Sequence, residues 1–170
     1  MVEAGILQEH DLVELIDGEI LEMIPIGSCH AACVNRLNTL LTRRLGDRAI
    51  ISVQNPIRLN DYSEPEPDIA VLQPCADFYA AAHPSAEDVL LVIEVAETSL
   101  EYDREVKIPR YAQADIPEVW LLDVQHEIVM VYTQPRHDAY QMTQIVRGAE
   151  LVQTAILGGL AIRADEILAQ

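Results

Sequence analysis

One apolar run constrains the fold of this chain more than any other feature of its sequence. Residues Val89 to Val95 follow Asp88 and are all apolar except Glu94. An unbroken run of this length is typical of a strand that is buried on both faces of a sheet. We therefore expect Asp88 to Val95 to form a strand inside a sheet that other elements cover on both sides.

A β-hairpin is predicted near the start of the sequence. The segments Leu12 to Ile16 and Glu19 to Ile24 flank the dipeptide Asp17-Gly18. Asp-Gly is favoured in two-residue type I′ turns, because both of their central positions need a positive φ. The pattern therefore predicts two short antiparallel strands joined by a tight turn.

Two longer helices are predicted. Ser28 is a candidate N-cap, apolar residues recur at helical spacing as far as Leu45, and Gly46 is placed to end the first helix. The second helix covers Arg104 to Ala114, where Pro109 lacks an N–H and is expected to kink or split it. The remaining elements are predicted as strands at 49–53, 56–59, 68–72, 119–124, 127–133 and 140–146, a helical turn at 77–82 and a short helix at 164–169.

These elements predict an α/β (α+β) sandwich in which helices lie against a sheet. The sequence has no internal repeat and no linker rich in Gly or Ser, and its Pro-rich stretch, Glu64 to Pro67, is too short to separate domains. We expect residues 1–170 to form a single domain with an N-terminal β-hairpin.

The charge balance excludes the simplest class of nucleic-acid binder. The chain carries 28 acidic and 11 basic side chains, a net charge of -17, whereas proteins that bind DNA by counterion release need a basic face. Anionic membranes are poor partners for the same reason. Residues 30–60 form the one positive block, with five arginines and one acid, a net of +4. Its candidates for phosphate contact are Arg36, Arg43, Arg44 and Arg48, and pairing with the surplus acids is an equal alternative.

Cysteine usage and the N-terminus favour a cytoplasmic protein. Three cysteines are too few and too sparse for a disulfide framework. Cys29 and Cys33 lie four residues apart, but two sulfurs do not complete a structural zinc site. Residues 1–10 contain no base, unlike a signal peptide, and no stretch long enough to span a bilayer is free of charge.

Three charged residues form a constellation that could carry chemistry. Asp68 begins one apolar strand, Glu94 ends the next, and Lys107 is placed on the following helix. Carboxylates beside such apolar runs are costly unless they are paired or bind a metal. Two carboxylates with a backbone carbonyl and water suit Mg²⁺ or Mn²⁺, and a lysine beside them can position a water for attack on phosphorus.

These segments resemble the Uma-two family of endonucleases, which belongs to the restriction-endonuclease-like superfamily with the PD-(D/E)xK signature. The resemblance implies a mixed central β-sheet flanked by helices and a metal-dependent nuclease site, with Mg²⁺ or Mn²⁺ as cofactor and nucleic acid, DNA first, as transient substrate. The matching text is LIDGEI, IGSCHAACVNRL, VQNPIRLNDYSEPEPDIAVL and HPSAEDVLLVIEVAETSLEYDREVKIPRYAQADIPEVWLLD.

Residue by residue, the resemblance implies the following roles. Pro67-Asp68 matches the PD element, and Glu94 matches the acid of the second element. Both would bind the metal, together with the backbone carbonyl of Val95. The signature's usual lysine would stand at position 96, where this chain has Ala96, and Lys107 fits the position of a lysine on the next helix. Further positions beside the site or the substrate are His30, Gln54, Glu66, Asp103 and Tyr111.

Three functions remain open from the sequence. The first is a metal-dependent endonuclease in which Asp68, Glu94 and Lys107 are catalytic. The second is a non-catalytic, dimeric interaction module on a nuclease scaffold, which the charge of -17 and Ala96 favour. The third is an enzyme that acts on a small phosphorylated substrate. A homodimer is expected, since isologous dimers are the commonest small oligomers.

Overall fold

A six-stranded mixed sheet forms the centre of the fold in the computed structural model, which describes residues 12–23, 25–154 and 156–169. In spatial order its strands are β3 (Ile50–Val53), β4 (Ile69–Leu72), β5 (Val89–Ala96), β6 (Glu118–Asp123), β7 (Ile128–Arg136) and β8 (Ala139–Arg147). β5 and β6 run parallel, and the other neighbouring strands are antiparallel. The apolar run lies in β5, third from one edge, and is buried almost throughout.

Helices and a second small sheet cover this sheet on both faces. On one face, α1 (Ser28–Leu45), α4 (Ala164–Leu168) and the antiparallel pair β9 (Leu151–Gln153) and β10 (Ala161–Arg163) enclose an apolar core. On the other face, α3 (Ile108–Gln113) packs its buried Ile108 and Tyr111 against the sheet. The α/β (α+β) prediction is confirmed, because both faces of β5 are buried by other elements.

A helical crossover joins the parallel strands β5 and β6, as a parallel pair requires. It consists of α2 (Leu100–Tyr102), a π turn (Asp103–Lys107) and α3, which follow one another without a break. The predicted split of this helix near Pro109 is present, and it takes the form of a π turn between two α-helical pieces. The helix widens just before the proline, where the Ile108 N–H donates to the carbonyl of Asp103, five residues back.

The predicted hairpin is present as β1 (Val13–Ile16) and β2 (Glu19–Glu22), with Ile24 outside the described residues. Asp17 and Gly18 have φ of 52° and 82°, as a type I′ turn requires. The hairpin is a separate two-stranded sheet that is bound to the body through the exchanged backbone bonds of Leu15 and Glu64. It also contacts α3 through an ion pair between Asp17 and Arg110.

Three local predictions are wrong. Ser28 does not cap α1: Gly27 is the N-cap, and a Cβ there would lie 2.7 Å from Oε2 of Glu97, so a larger residue would displace the end of that side chain. Residues 56–59 form no strand, because their N–H groups donate to loop carbonyls such as that of Pro65. Residues 77–79 form a turn and residues 81–82 a bend instead of a helical turn, and Phe78 has a φ of 54°. The short strands β9 and β10 were not predicted.

The arginines of the positive block bind the C-terminal part of the chain. Arg36 donates to the carbonyl of Ile167, and Arg48 donates to that of Gly158. Arg44 donates to the carbonyl of Ala161 and pairs with Glu166 at 2.9 Å. Most of these cations therefore satisfy backbone carbonyls, which neither sequence alternative anticipated.

No helix in the described part of the chain is long and apolar enough to cross a membrane.

Candidate active site

The site residues that the sequence predicts converge at one end of the central sheet, where β4 begins and β5 ends. These strands are antiparallel with Ile69 opposite Ile93, so Asp68 and Glu94 occupy the next position on each strand. β3 ends beside them, and the backbone N–H of Gln54 donates to the backbone carbonyl of Asp68 at 3.1 Å. Residues from three strands therefore meet at this edge.

Asp68 is held through both carboxylate oxygens. Its Oδ1 lies 2.7 Å from Nε2 of His30 and accepts a hydrogen bond from Nε2 of Gln54 at 3.2 Å. Its Oδ2 accepts the backbone N–H of Val95 at 2.8 Å. These contacts come from α1, from the residue after β3 and from β5, and together they fix the plane of the carboxylate.

His30 is buried near the start of α1 and faces Asp68. Burial lowers its pKa, but the hydrogen bond and charge of Asp68, together with the charges of Glu97 and Asp103, raise the pKa by more. The net upward shift favours the imidazolium, which donates to the Asp68 carboxylate more strongly than a neutral ring does.

Glu94 is 3% exposed and has two partners on one oxygen. The hydroxyl of Tyr111 donates to Oε1 at 2.6 Å, and Nζ of Lys107 lies 3.4 Å from the same atom. Burial raises the pKa of Glu94 to about 8, although the charge of Lys107 opposes that shift. Both contacts leave Oε2 unengaged by the described residues, so this oxygen can accept a further ligand.

Lys107 brings its ammonium to Glu94 from the π turn. Ala96, at the position of the signature's usual lysine, is buried in the same apolar cluster as Ile108 beneath the helical crossover. The crossover thus supplies the cation that β5 does not. Burial lowers the pKa of Lys107, but the charges of Glu94, Glu14 and Asp103 raise it by more, so the ammonium stays charged.

Glu14 is a second carboxylate partner of Lys107 that the sequence reasoning missed. Its Oε2 lies 3.1 Å from Nζ, and its Oε1 accepts the hydroxyl of Tyr102 at 3.2 Å. The alternation within β1 carries a weak signal, since Glu14 shares a face with the buried Ile16. That signal does not separate a buried carboxylate from one in solvent, because nothing in a short hairpin shows which face is covered.

The other predicted site residues, Asp103, Tyr111 and Glu66, differ in their burial and in their contacts. Asp103 is buried on the π turn, accepts the hydroxyl of Ser99 at 2.6 Å and has a pKa raised by burial. Tyr111 is fully buried, and burial with the charge of Glu94 raises its pKa, so it keeps its proton and donates. Glu66 is half-buried, and its backbone N–H, not its carboxylate, reaches Glu14 at 3.5 Å.

The donor chemistry of the site fits a divalent cation. Four largely buried acidic side chains, those of Glu14, Asp68, Glu94 and Asp103, lie at this end of the fold with two cationic partners, the Lys107 ammonium beside Glu14 and Glu94 and the His30 imidazolium beside Asp68. The excess of buried negative charge is costly without a further cation. Within the described ranges, no three His, Cys, Asp or Glu side chains converge as a ready metal cage. Two carboxylates completed by a backbone carbonyl and water are the set that Mg²⁺ prefers.

Comparison with known proteins assigns this chain to a family. The family model described as "Uma2: Putative restriction endonuclease" matches residues 6–165. The chain belongs to the Uma2 family. The predicted family is thereby confirmed, and Uma2 membership identifies the chain as a restriction-endonuclease-like protein.

A solved structure with a TM-score above 0.5 supports the fold of this Uma2 chain. A "putative nuclease belonging to DUF820" from Anabaena variabilis ATCC 29413 is similar to it with a TM-score of 0.68 and 16% identity, over 98% of this chain and 95% of that one. The type IIG restriction endonuclease BpuSI matches at a TM-score of 0.48 and 15% identity, over 86% of this chain but only 17% of the enzyme. No curated protein sequence matches the chain.

Proposed function

We propose that this Uma2 protein is a metal-dependent endonuclease that hydrolyses phosphodiester bonds in nucleic acid, with DNA as the first substrate to test. Asp68 and Glu94 would hold Mg²⁺ or Mn²⁺, together with the backbone carbonyl of Val95 and water. When bound, the ion would polarise the phosphate and acidify a water. Membership of a restriction-endonuclease family supports the reaction class.

One observation carries this proposal: the ammonium of Lys107 reaches the carboxylate of Glu94 at 3.4 Å, although β5 itself has no lysine. This contact supports the proposal, because it brings the ammonium of Lys107 to the sheet edge of Asp68 and Glu94 in spite of Ala96. From this position, Lys107 would orient the attacking water or stabilise the charge that develops on phosphate.

The remaining residues would keep these groups in place. His30 and Gln54 orient Asp68, and Tyr111 orients Glu94. The backbone N–H of Val95 also donates to Asp68, which brings Val95 beside this proposed metal ligand. Such supporting hydrogen bonds normally set the geometry and affinity of a metal site.

Cleavage of supercoiled plasmid by the full chain with Mg²⁺, Mn²⁺ or EDTA tests the proposal. We expect metal-dependent nicking that falls at least about 100-fold in Asp68→Asn, Glu94→Gln and Lys107→Ala. Asp138→Asn is the matched control, because Asp138 is exposed in the turn between β7 and β8. Calorimetry should show that Asp68→Asn loses metal binding, whereas Lys107→Ala keeps it.

Three outcomes would overturn the proposal. Equal nicking by the wild type and Asp68→Asn would assign the activity to a contaminant. A wild type that cleaves neither plasmid nor single-stranded DNA or RNA would favour the non-catalytic module. Activity on a small phosphodiester without activity on polymers would instead favour the third function that the sequence left open.

A further inference from the structure

Lys107 is held between two carboxylates that come from different parts of the fold. Glu94 belongs to the central sheet, whereas Glu14 belongs to the separate hairpin sheet. Glu14 is the nearer partner, at 3.1 Å against 3.4 Å. The position of the ammonium therefore depends on a segment outside the core sheet.

Glu14 is held by contacts other than the one it makes with the lysine. It is 6% exposed, and the hydroxyl of Tyr102, on the same helical crossover as Lys107, donates to its Oε1. The hairpin is also bound to the body just after Glu14, through Leu15 to Glu64 and through Asp17 to Arg110. The carboxylate is thus preorganised and does not follow the lysine as a mobile counter-ion would.

The charges of the site give Glu14 a role that Glu94 cannot fill. If Glu94 shares its charge with a cation, as the proposed function requires, its attraction for Lys107 weakens and the two positive charges repel each other. Glu14 is then the carboxylate that keeps the ammonium beside the site. We propose that Glu14, on the N-terminal hairpin, is a positioning residue that holds Lys107 at the reacting phosphate. This proposal rests on the proposed function.

A single NMR signal can test this arrangement, because Lys107 is the only lysine in the chain. Protein labelled with ¹⁵N at lysine Nζ should give one ammonium resonance, sharp because the buried ion pairs slow its exchange with water. We expect Glu14→Gln to broaden this resonance beyond detection while the protein stays folded by circular dichroism. Glu22→Gln, the same substitution at an exposed residue of the same hairpin, should leave the resonance unchanged.

Cleavage kinetics provide the second readout. Glu14→Gln should lower kcat at least about 10-fold with little change in KM, since the lysine acts on the reacting phosphate and not on distant DNA. A Glu14→Gln protein with the wild-type lysine resonance and the wild-type kcat would overturn the proposal. If Glu14→Gln does not fold, Tyr102→Phe removes only the hydroxyl that donates to Glu14, and an unchanged resonance there would also overturn it.

The two proposals fail differently. The lysine resonance is recorded without metal or DNA, so it reports on the hold of Glu14 even if the wild type cleaves nothing. An inactive wild type with a resonance that Glu14→Gln abolishes would reject the nuclease function alone. An active wild type with a resonance that is insensitive to Glu14→Gln would reject the role of Glu14 alone.

Discussion

Nε2 of His30 lies 2.7 Å from Oδ1 of Asp68, which joins the start of α1 to the start of β4. Asp68 could reach this edge of the sheet without His30, but among the described residues its Oδ1 would then keep one side-chain donor, Gln54. The orientation of Asp68, the proposed metal ligand, therefore depends on α1, which precedes the central sheet along the chain.

We expect His30→Ala to weaken the proposed Mg²⁺ or Mn²⁺ site about 10- to 100-fold, which is the usual effect of removing a hydrogen-bond partner of a metal ligand. Calorimetric titration with Mn²⁺ measures the affinity, and plasmid nicking measures the activity. His83→Ala is the control, because His83 is exposed and does not contact Asp68. Identical Mn²⁺ affinities for the wild type and His30→Ala would contradict this role.

Tyr111→Phe should lower the free energy of unfolding by about 1–3 kcal/mol, because it removes a donor from a buried carboxylate. The hydroxyl of Tyr111 donates to Glu94 at 2.6 Å, and the side chain is fully buried. Urea unfolding measures the loss. Tyr62→Phe should change stability by less than about 0.5 kcal/mol, because Tyr62 is 70% exposed. Equal effects of the two substitutions would show that this hydrogen bond adds nothing.

Glu118 should make the stability depend on pH. Its carboxylate is buried and accepts hydrogen bonds from Nε1 of Trp120 and Oγ1 of Thr154. Burial raises the pKa of Glu118, although both hydrogen bonds oppose the shift. The folded state therefore binds the proton more tightly than the unfolded state, so this contribution to stability is present at low pH. It is lost as the pH rises from about 4.5, the ordinary pKa of glutamate, through the raised value.

Urea unfolding across this pH range should show the difference. The wild type should lose stability relative to Glu118→Gln as the pH rises, since glutamine cannot ionise. Glu87→Gln, at an exposed glutamate, should run parallel to the wild type. Parallel curves for the wild type and Glu118→Gln would mean that Glu118 has the same pKa in both states.

Arg48→Ala should lower stability by about 1 kcal/mol and leave the KM for DNA unchanged. The guanidinium of Arg48 donates to the carbonyls of Gly158, Arg44 and Leu45, so it fastens the C-terminal part of the chain to the end of α1. From His30 to Leu45, α1 extends about 22 Å away from Asp68. Thermal unfolding and cleavage kinetics at several salt concentrations measure the two effects.

The alternative hypothesis, that the positive block binds phosphates, predicts the opposite pattern. A phosphate-binding arginine should raise KM and reduce the salt dependence when it is removed. Arg43→Ala provides the comparison, because Arg43 is exposed and makes none of the carbonyl contacts of Arg48. A higher KM in both variants would assign the block to nucleic acid.

The sequence predicted best where one residue type dominates the local energetics. The apolar run in β5 has almost no polar side chain that favours exposure to water, so burial on both faces is expected. The structure confirms this burial. Asp17-Gly18 fixed the hairpin turn because few dipeptides accept two positive φ values. The order of Asp68, Glu94 and Lys107 along strand, strand and helix also predicted their convergence.

Features that depend on distant parts of the chain could not be read locally. β9 and β10 each have three residues, and their pairing depends on the core that Val152 and Ile162 join. The burial of Glu14 depends on the docking of the hairpin against the crossover, where Glu14 pairs with Lys107. Lys107 in turn pairs with Glu94 on β5, so three distant segments determine this contact. Pro109 predicted a kink or a split of the helix but not the form of the split, a π turn that widens the helix just before the proline.

The separation along the chain between the hairpin and the crossover affects how the protein is made. Their contacts join residues 93 positions apart, as between Asp17 and Arg110. At a synthesis rate of about 5–20 residues per second, the crossover follows the hairpin by about 5–20 s. An isolated two-stranded hairpin is marginally stable in water, so Glu14 stays solvated until the helical crossover that buries it has been translated. The nascent chain therefore completes this site only after most of the fold has left the ribosome.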